Sequence, residues 1–220
     1  MSTETTKNKL DYDKFKEFKD SLKTKDEVQK EIIDYFSNKD YCTIHDCSSE
    51  TMMFSRGGIE LKIKIRNYPI FLNLSVNPGP YSHFSKEEIN IKTILGGSDT
   101  ALSYSTYYIN GDNYLERLDN YIKNVIEAYD KYKVFIQNII NEFDIRENDI
   151  KTLVDLNQYI LYIHIKFNNR TVVVTPSFEV DNGKIIPIAY IGNDNSRYPT
   201  KTYVNSANMS DTYDLIEFFL

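Results

Sequence analysis

The chain has 220 residues, of which 41% are hydrophobic and 26% charged, which excludes a wholly disordered, collagen-like or mucin-like protein and leaves one domain or two small lobes. Its formal net charge is −6, no long segment is basic and the stretch 111–158 is the most acidic. Non-specific nucleic-acid binding and attachment to an anionic membrane therefore lack an electrostatic footprint.

The finer composition is biased. There are 26 Ile, 21 Asn and 20 Lys against 6 Arg and 4 Ala. This favours residues with A/T-rich codons and points to an AT-rich genome: a low-GC bacterium, its phage, a protist or a large DNA virus. It also lowers the weight of any single Lys or Asn as a functional signal. Residues 1–10 are Ser-, Thr-, Lys- and Glu-rich with no apolar core, so no secretory signal is expected. No run approaches about 18 apolar residues, so no membrane-spanning helix is expected. Two cysteines are too few for a disulfide scaffold. A reduced interior follows as the expected location, the cytoplasm or the host-cell interior if the chain is viral.

In chain order, Leu10, Phe15, Phe18 and Leu22 recur at helical spacing, and Thr24 with Glu27 forms a capping-box pattern that restarts a helix. Two short helices are predicted, over 11–22 and 25–37. Residues 60–66 alternate Leu61, Ile63 and Ile65 against Lys62, Lys64 and Arg66, and 69–76 alternate in the same way. Such alternation predicts half-buried antiparallel strands joined at Asn67–Tyr68. Further strands are predicted at 41–47, 51–56, 89–95 and 101–109.

The clearest periodicity lies at 113–143. Leu115, Leu118, Ile122, Val125, Tyr129, Tyr132, Ile136, Ile139 and Phe143 are spaced alternately by three and four, with Asn113 and Glu116 as an expected N-cap pair. A helix there spans about 46 Å at 1.5 Å per residue, the width of the whole molecule. Tyr121, Ile126, Phe135 and Ile140 widen the stripe, which suits a helix lying on a sheet. The other use of the same stripe is a homodimer through Ile122, Val125, Tyr129, Tyr132 and Ile136. A short helix is expected at 147–156. A meander follows at 159–167, 171–180 with a bulge at Pro176, and 184–191, then a polar loop over 193–208 and a terminal helix at 211–219.

The order helix, meander, helix, meander predicts an α+β fold, with antiparallel sheets packed on a long central helix. The boundary falls near 110, giving lobes 1–110 and 111–220 or one continuous domain.

Cys42, His45 and Cys47 share a short segment, but Cys42 points oppositely on a strand and a tetrahedral set is lacking, so no metal site and no cofactor are expected. Leu95-Gly96-Gly97-Ser98-Asp99-Thr100 resembles the phosphate loop of the ATP pyrophosphatases, with Leu95 in place of the first Ser. A strand follows where that loop needs a helix, so a Gly-Gly hairpin is expected. Arg56, Lys62, Lys64 and Arg66 form a candidate basic face, with Tyr104, Tyr107 and Tyr108 as stacking groups beside it. At the C-terminus, Leu215, Phe218 and Phe219 keep the spacing of the sliding-clamp-binding box, with Thr212 at its Gln position. That resemblance implies a one-turn helix with aromatic anchors; the structural alternative is a helix docked on its own core.

No nucleophile elbow, Walker loop, zinc-protease or EF-hand motif is present, and three histidines leave little for a His-based centre. The sequence-level expectation is a non-catalytic protein-binding or regulatory factor, contacting a partner through Leu215, Phe218 and Phe219. The alternatives are a nucleic-acid-associated accessory protein and an enzyme with a carboxylate site.

Overall fold

The computed structural model describes residues 23, 25–46, 59–77, 88–95, 101–108, 113–145, 150–155, 158–167, 170–181, 184–193, 199–204 and 209–219. Helix α1 (Lys25–Ser37) leads into five strands, β1 (Cys42–Asp46), β2 (Ile59–Ile65), β3 (Ile70–Asn77), β4 (Glu88–Leu95) and β5 (Ala101–Tyr108). Helix α2 (Tyr114–Glu142) follows, then β6 (Ile150–Asp155), β7 (Gln158–Phe167), β8 (Arg170–Asp181), β9 (Lys184–Asn193) and β10 (Thr200–Tyr203), and last α3 (Met209–Phe219). Each set of five strands is an antiparallel meander in which sequence neighbours are spatial neighbours. The fold is α+β, two antiparallel sheets with helices in helix–sheet–helix–sheet order.

Local pattern explains each element. On α1, Val28, Ile32 and Phe36 are fully buried at four-residue spacing, while Asp26 and Glu27 in the first turn complement the helix dipole. In the first sheet Leu61, Ile63, Ile65, Ile70, Leu72, Leu74, Ile89 and Ile91 turn inward and are buried. Helix α2 ends in a Schellman motif: Asp144 takes a left-handed φ of 45°, its N–H donates to Asn141 O and that of Ile145 to Ile140 O. An Asp accepts this conformation where Gly is the usual choice.

Helix α2 serves both sheets. Its residues from Tyr114 to Tyr129 enter one core with α1 and the first sheet. Tyr132, Phe135 and Ile139 enter a second core with Ile165, Val172, Val174, Ala189, Ile191 and Ile216. The stripe that could have served as a dimer seam is thus occupied within the chain: Ile122, Val125, Tyr129 and Tyr132 are buried, and Ile136 packs on the second core. The sheets also meet directly. Pairing of β7 with β8 ends at Ile163–Val174 while β8 continues its pairing with β9, and β5 lies against β8. Phe178, on this extension, belongs to the first core.

Several expectations need correction. Residues 150–155 form strand β6, where a helix over 147–156 was expected. Ile150, Thr152 and Val154 are β-branched, and the segment pairs antiparallel with β7 from Ile150–Ile165 to Asp155–Gln158. The polar loop 193–208 contains β10, too short for alternation to reveal. Pro176 causes no bulge: Thr175, Pro176 and Ser177 pair in unbroken register with Tyr190, Ala189 and Ile188. Pro176 sits past the last β7–β8 pair, so its missing N–H breaks no bond in that ladder. The register shifts fall instead at Thr93/Ile94 and Leu153/Asp155. Asn113 makes no side-chain cap; it adopts φ 64° and its carbonyl accepts from the Arg117 N–H. The expected helix at 11–22, strand at 51–56, and Thr24, Arg56 and Cys47 lie outside the described residues.

Candidate functional site

The outer face of the first sheet carries the basic residues that alternation placed opposite the core. Strand register aligns them. His45 pairs with Lys62, Lys62 with Asn73, Asn73 with Lys92, and Lys92 with Tyr104, one row crossing all five strands. The adjacent row runs Thr43, Lys64, Phe71, Ile94. The Lys62 ammonium lies 4.3 Å from the centre of the Phe71 ring and that of Lys64 lies 6.0 Å from it, within reach of cation–π attraction. Arg66 is exposed in the β2–β3 turn. Among the described residues, no carboxylate forms an ion pair with Lys62, Lys64, Arg66 or Lys92. Glu60 lies one row away, where it accepts a hydrogen bond from Ser75 at 3.3 Å. The sequence singled out Lys62, Lys64 and Arg66; His45, Asn73 and Lys92 join them through register alone.

Carboxylates along α2 are tied to tyrosines and lysines. Asp119, with its side chain 8% exposed, accepts from Tyr41 Oη, from Lys123 Nζ at 3.0 Å and from Lys39 Nζ at 3.5 Å. Tyr35 Oη also donates to this carboxylate, at 3.4 Å. Burial pushes the Asp119 carboxyl up, but the hydrogen bonds from Tyr41 and Lys123 and the charges of Lys123 and Lys39 outweigh it and hold the group below its ordinary value. Burial and the same carboxylate push the Tyr41 phenol far up. Tyr114 donates to Glu31, which also binds Lys23 at 2.6 Å. Tyr68 reaches from the β2–β3 turn to donate to Asp130 Oδ2 at 3.0 Å. Asp119 and Asp130 lie three turns apart on α2 and Glu31 lies on α1, each held by its own tyrosine and lysine.

The second candidate surface is an open groove of about 410 Å³. Val134, Phe135, Val204 and Met209 give it an apolar floor, and Glu127, Asp130, Lys131 and Asn138 form its rim. The rim charges are matched within the chain: Lys131 binds Glu127 at 2.7 Å and Lys133 binds Asp130 at 2.7 Å. Val134 is 61% exposed. It was missed in the sequence because it stands alone among polar neighbours, outside the apolar stripe.

Helix α3 is docked on its own chain. Thr212 and Ile216 are fully buried, the Thr212 and Thr202 hydroxyls hydrogen bond at 3.1 Å, and the Tyr213 ring meets Phe143 edge-on at 5.8 Å. Of the three residues singled out there, Leu215 and Phe219 pack on the second core and Phe218 is 78% exposed. The residue at the box's Gln position, Thr212, faces inward.

Cys42 is buried, its thiol lies 3.8 Å from Phe36 O, and burial raises its pKa to about 11, which suits a packing role. His45, three positions further along β1 and so on the opposite face, is exposed. Among the described residues, no group of three or more His, Cys, Asp or Glu side chains is placed to hold a metal ion, and no helix is long and apolar enough to cross a membrane. Compared with known proteins, the chain matches no family model, no curated protein and no solved structure.

Proposed function

We propose that this protein is a non-catalytic binding factor that docks another protein through the groove between α2 and the β10–α3 junction, with Phe218 as a second contact. The observation that carries this reading is the groove itself: an apolar floor beside the exposed Val134, framed by charges that are already matched. A rim without surplus charge favours an apolar segment of a partner over a charged ligand, because burying side chains such as Val or Leu contributes about 1.5–3 kcal/mol each. Phe218 lies nine residues beyond Met209, about 14 Å along α3, within the span of an ordinary protein interface. The carboxylates at the groove rim, Glu127 and Asp130, are each paired with a lysine, which suits a binding role.

The test is affinity capture from the native cell with four baits: the wild type, Val134→Glu, Phe218→Ala and Lys64→Glu. The reading expects a protein retained by the wild type and by Lys64→Glu, lost with Val134→Glu and weakened with Phe218→Ala. A captured set that is the same for all four baits rejects this surface. The two substituted apolar side chains are exposed, so circular dichroism should show all baits folded.

A further inference from the structure

We propose that the outer face of the first sheet is a second binding surface, and that its ligand is single-stranded nucleic acid. It is independent of the groove, which lies at the other half of α2.

Sequence periodicity puts Lys62, Lys64 and Arg66 on one strand edge to edge with core residues, a pattern that any solvated strand could show. Pairing adds His45 and Lys92 to the same face and sets Asn73 between Lys62 and Lys92. Strands lie about 4.8 Å apart, so the row from β1 to β5 is about 19 Å long. A track of this length suits a short single strand, at the low end of the four to sixteen or so nucleotides that sheet-based single-strand binders cover.

Charge complementarity selects the ligand. Three lysines and an arginine occupy the face and its turn without an ion-pair partner among the described residues. The chain's acidic surplus is concentrated at 111–158, and α2 packs on the inner face of this sheet. Layers pack about 10 Å apart, which is about one Debye length at 0.1 M salt. A ligand on the outer face therefore lies closer to the local cations than to the acidic helix, which is one layer further away.

An acidic protein surface would need the cations alone. The face also offers a ring, Phe71, flanked by two ammonium groups, and a side-chain amide, Asn73, between Lys62 and Lys92. Rings for base stacking, amides for polar edges and cations for phosphates are the three kinds of group that single-strand binders combine.

The probe is fluorescein-labelled oligo(dT) and oligo(U) of 20 nucleotides, read by fluorescence polarisation at 50 and 200 mM NaCl. Four phosphate contacts give a log–log salt slope of about −3 for single strands, so affinity should fall about 50-fold between the two salt concentrations. The variant Lys62→Glu/Lys64→Glu/Lys92→Glu should bind at least tenfold more weakly than wild type with unchanged circular dichroism. Should that variant fail to fold, Lys64→Ala/Lys92→Ala should flatten the salt slope by about 1.4. Phe71→Ala should weaken binding with little change of slope, as lost stacking does. Val134→Glu should bind the oligonucleotides as the wild type does, which separates this surface from the groove. The proposal is overturned if neither oligonucleotide binds at 50 mM NaCl. It is equally overturned if folded lysine variants bind undiminished, or if polyglutamate is bound and the oligonucleotides are not.

Discussion

The first sheet is covered by α1 and the N-terminal half of α2, and polar groups cross that layer at several points. Thr93 and Tyr121 hydroxyls meet at 2.7 Å inside the core, Asp119 gathers Tyr41, Lys39 and Lys123, and Glu31 holds Tyr114. The second sheet is covered by the C-terminal half of α2 and by α3. There the described polar tie is Thr202 to Thr212, and the buried Tyr132 hydroxyl has no hydrogen-bond partner among the described residues. Two meanders of equal strand number are thus closed by different means. Among the described residues, buried and part-buried hydrogen bonds hold one arrangement of the first core, whereas the contacts of the second are mainly apolar, which tolerates adjustment. The exposed Val134, Tyr203 and Phe218 all belong to the second region, and the cationic row to the first.

The largest test of this contrast is a charge placed in each core. Val125→Asp and Ile139→Asp both bury an unpaired carboxylate, at a cost above about 3 kcal/mol. Val125→Asp should abolish cooperative unfolding altogether. Ile139→Asp should leave the β2–β4 amides protected in hydrogen exchange while those of β8–β10 exchange freely. Simultaneous loss of protection in both sheets would show a single cooperative core.

A smaller effect is expected at Asp119. Its native pKa is held below the ordinary value, so its contribution is complete above the unfolded value of about 3.9 and is lost as pH falls through the native one. Asp119→Asn should cost about 1–3 kcal/mol at pH 7. The difference from wild type in urea unfolding should shrink steadily as pH is lowered below about 4. A pH-independent difference would mean that packing, and not the charge, is what Asp119 supplies.

The smallest effect has the opposite sign. Tyr132→Phe removes a buried hydroxyl without a partner and should raise stability by up to about 1 kcal/mol. Thermal melts of the two proteins decide the point, and a loss of stability would reveal a bond that the hydroxyl makes.

How much of this was legible beforehand follows from the range of the interactions. The alternation at Leu61, Ile63 and Ile65 and the three-four spacing from Leu118 to Ile139 are local and strong, and β2, β3 and α2 fall where they indicate. The contrasting failures are β6 and β10, where short segments carry conflicting local signals and the pairing partner decides. The burial of Asp119 was hidden because the residues that enclose it, Tyr35 and Tyr41, come from a distant part of the chain. A carboxylate set between Leu118 and Tyr121 in an apolar stripe was the available clue. Lys92 was overlooked for the same reason: only strand order brings it beside Lys62 through Asn73. The inward turn of Thr212 and the exposure of Phe218 depend on how α3 rolls on β8 and β9, which a helical pattern alone leaves open.

Sharing α2 between two sheets also orders events on the ribosome. The first meander can be complete once residue 108 has left the ribosome, yet its inner face stays uncovered until Leu118, Ile122 and Val125 emerge. Once they dock, the same rigid helix projects Tyr132, Phe135 and Ile139 as a preformed apolar template before any strand of the second sheet exists. Elongation at about 5–20 residues per second leaves several seconds in which that template waits for its meander. The long helix is therefore a kinetic organiser as well as a core element: it makes the second half of the chain fold against something already in place.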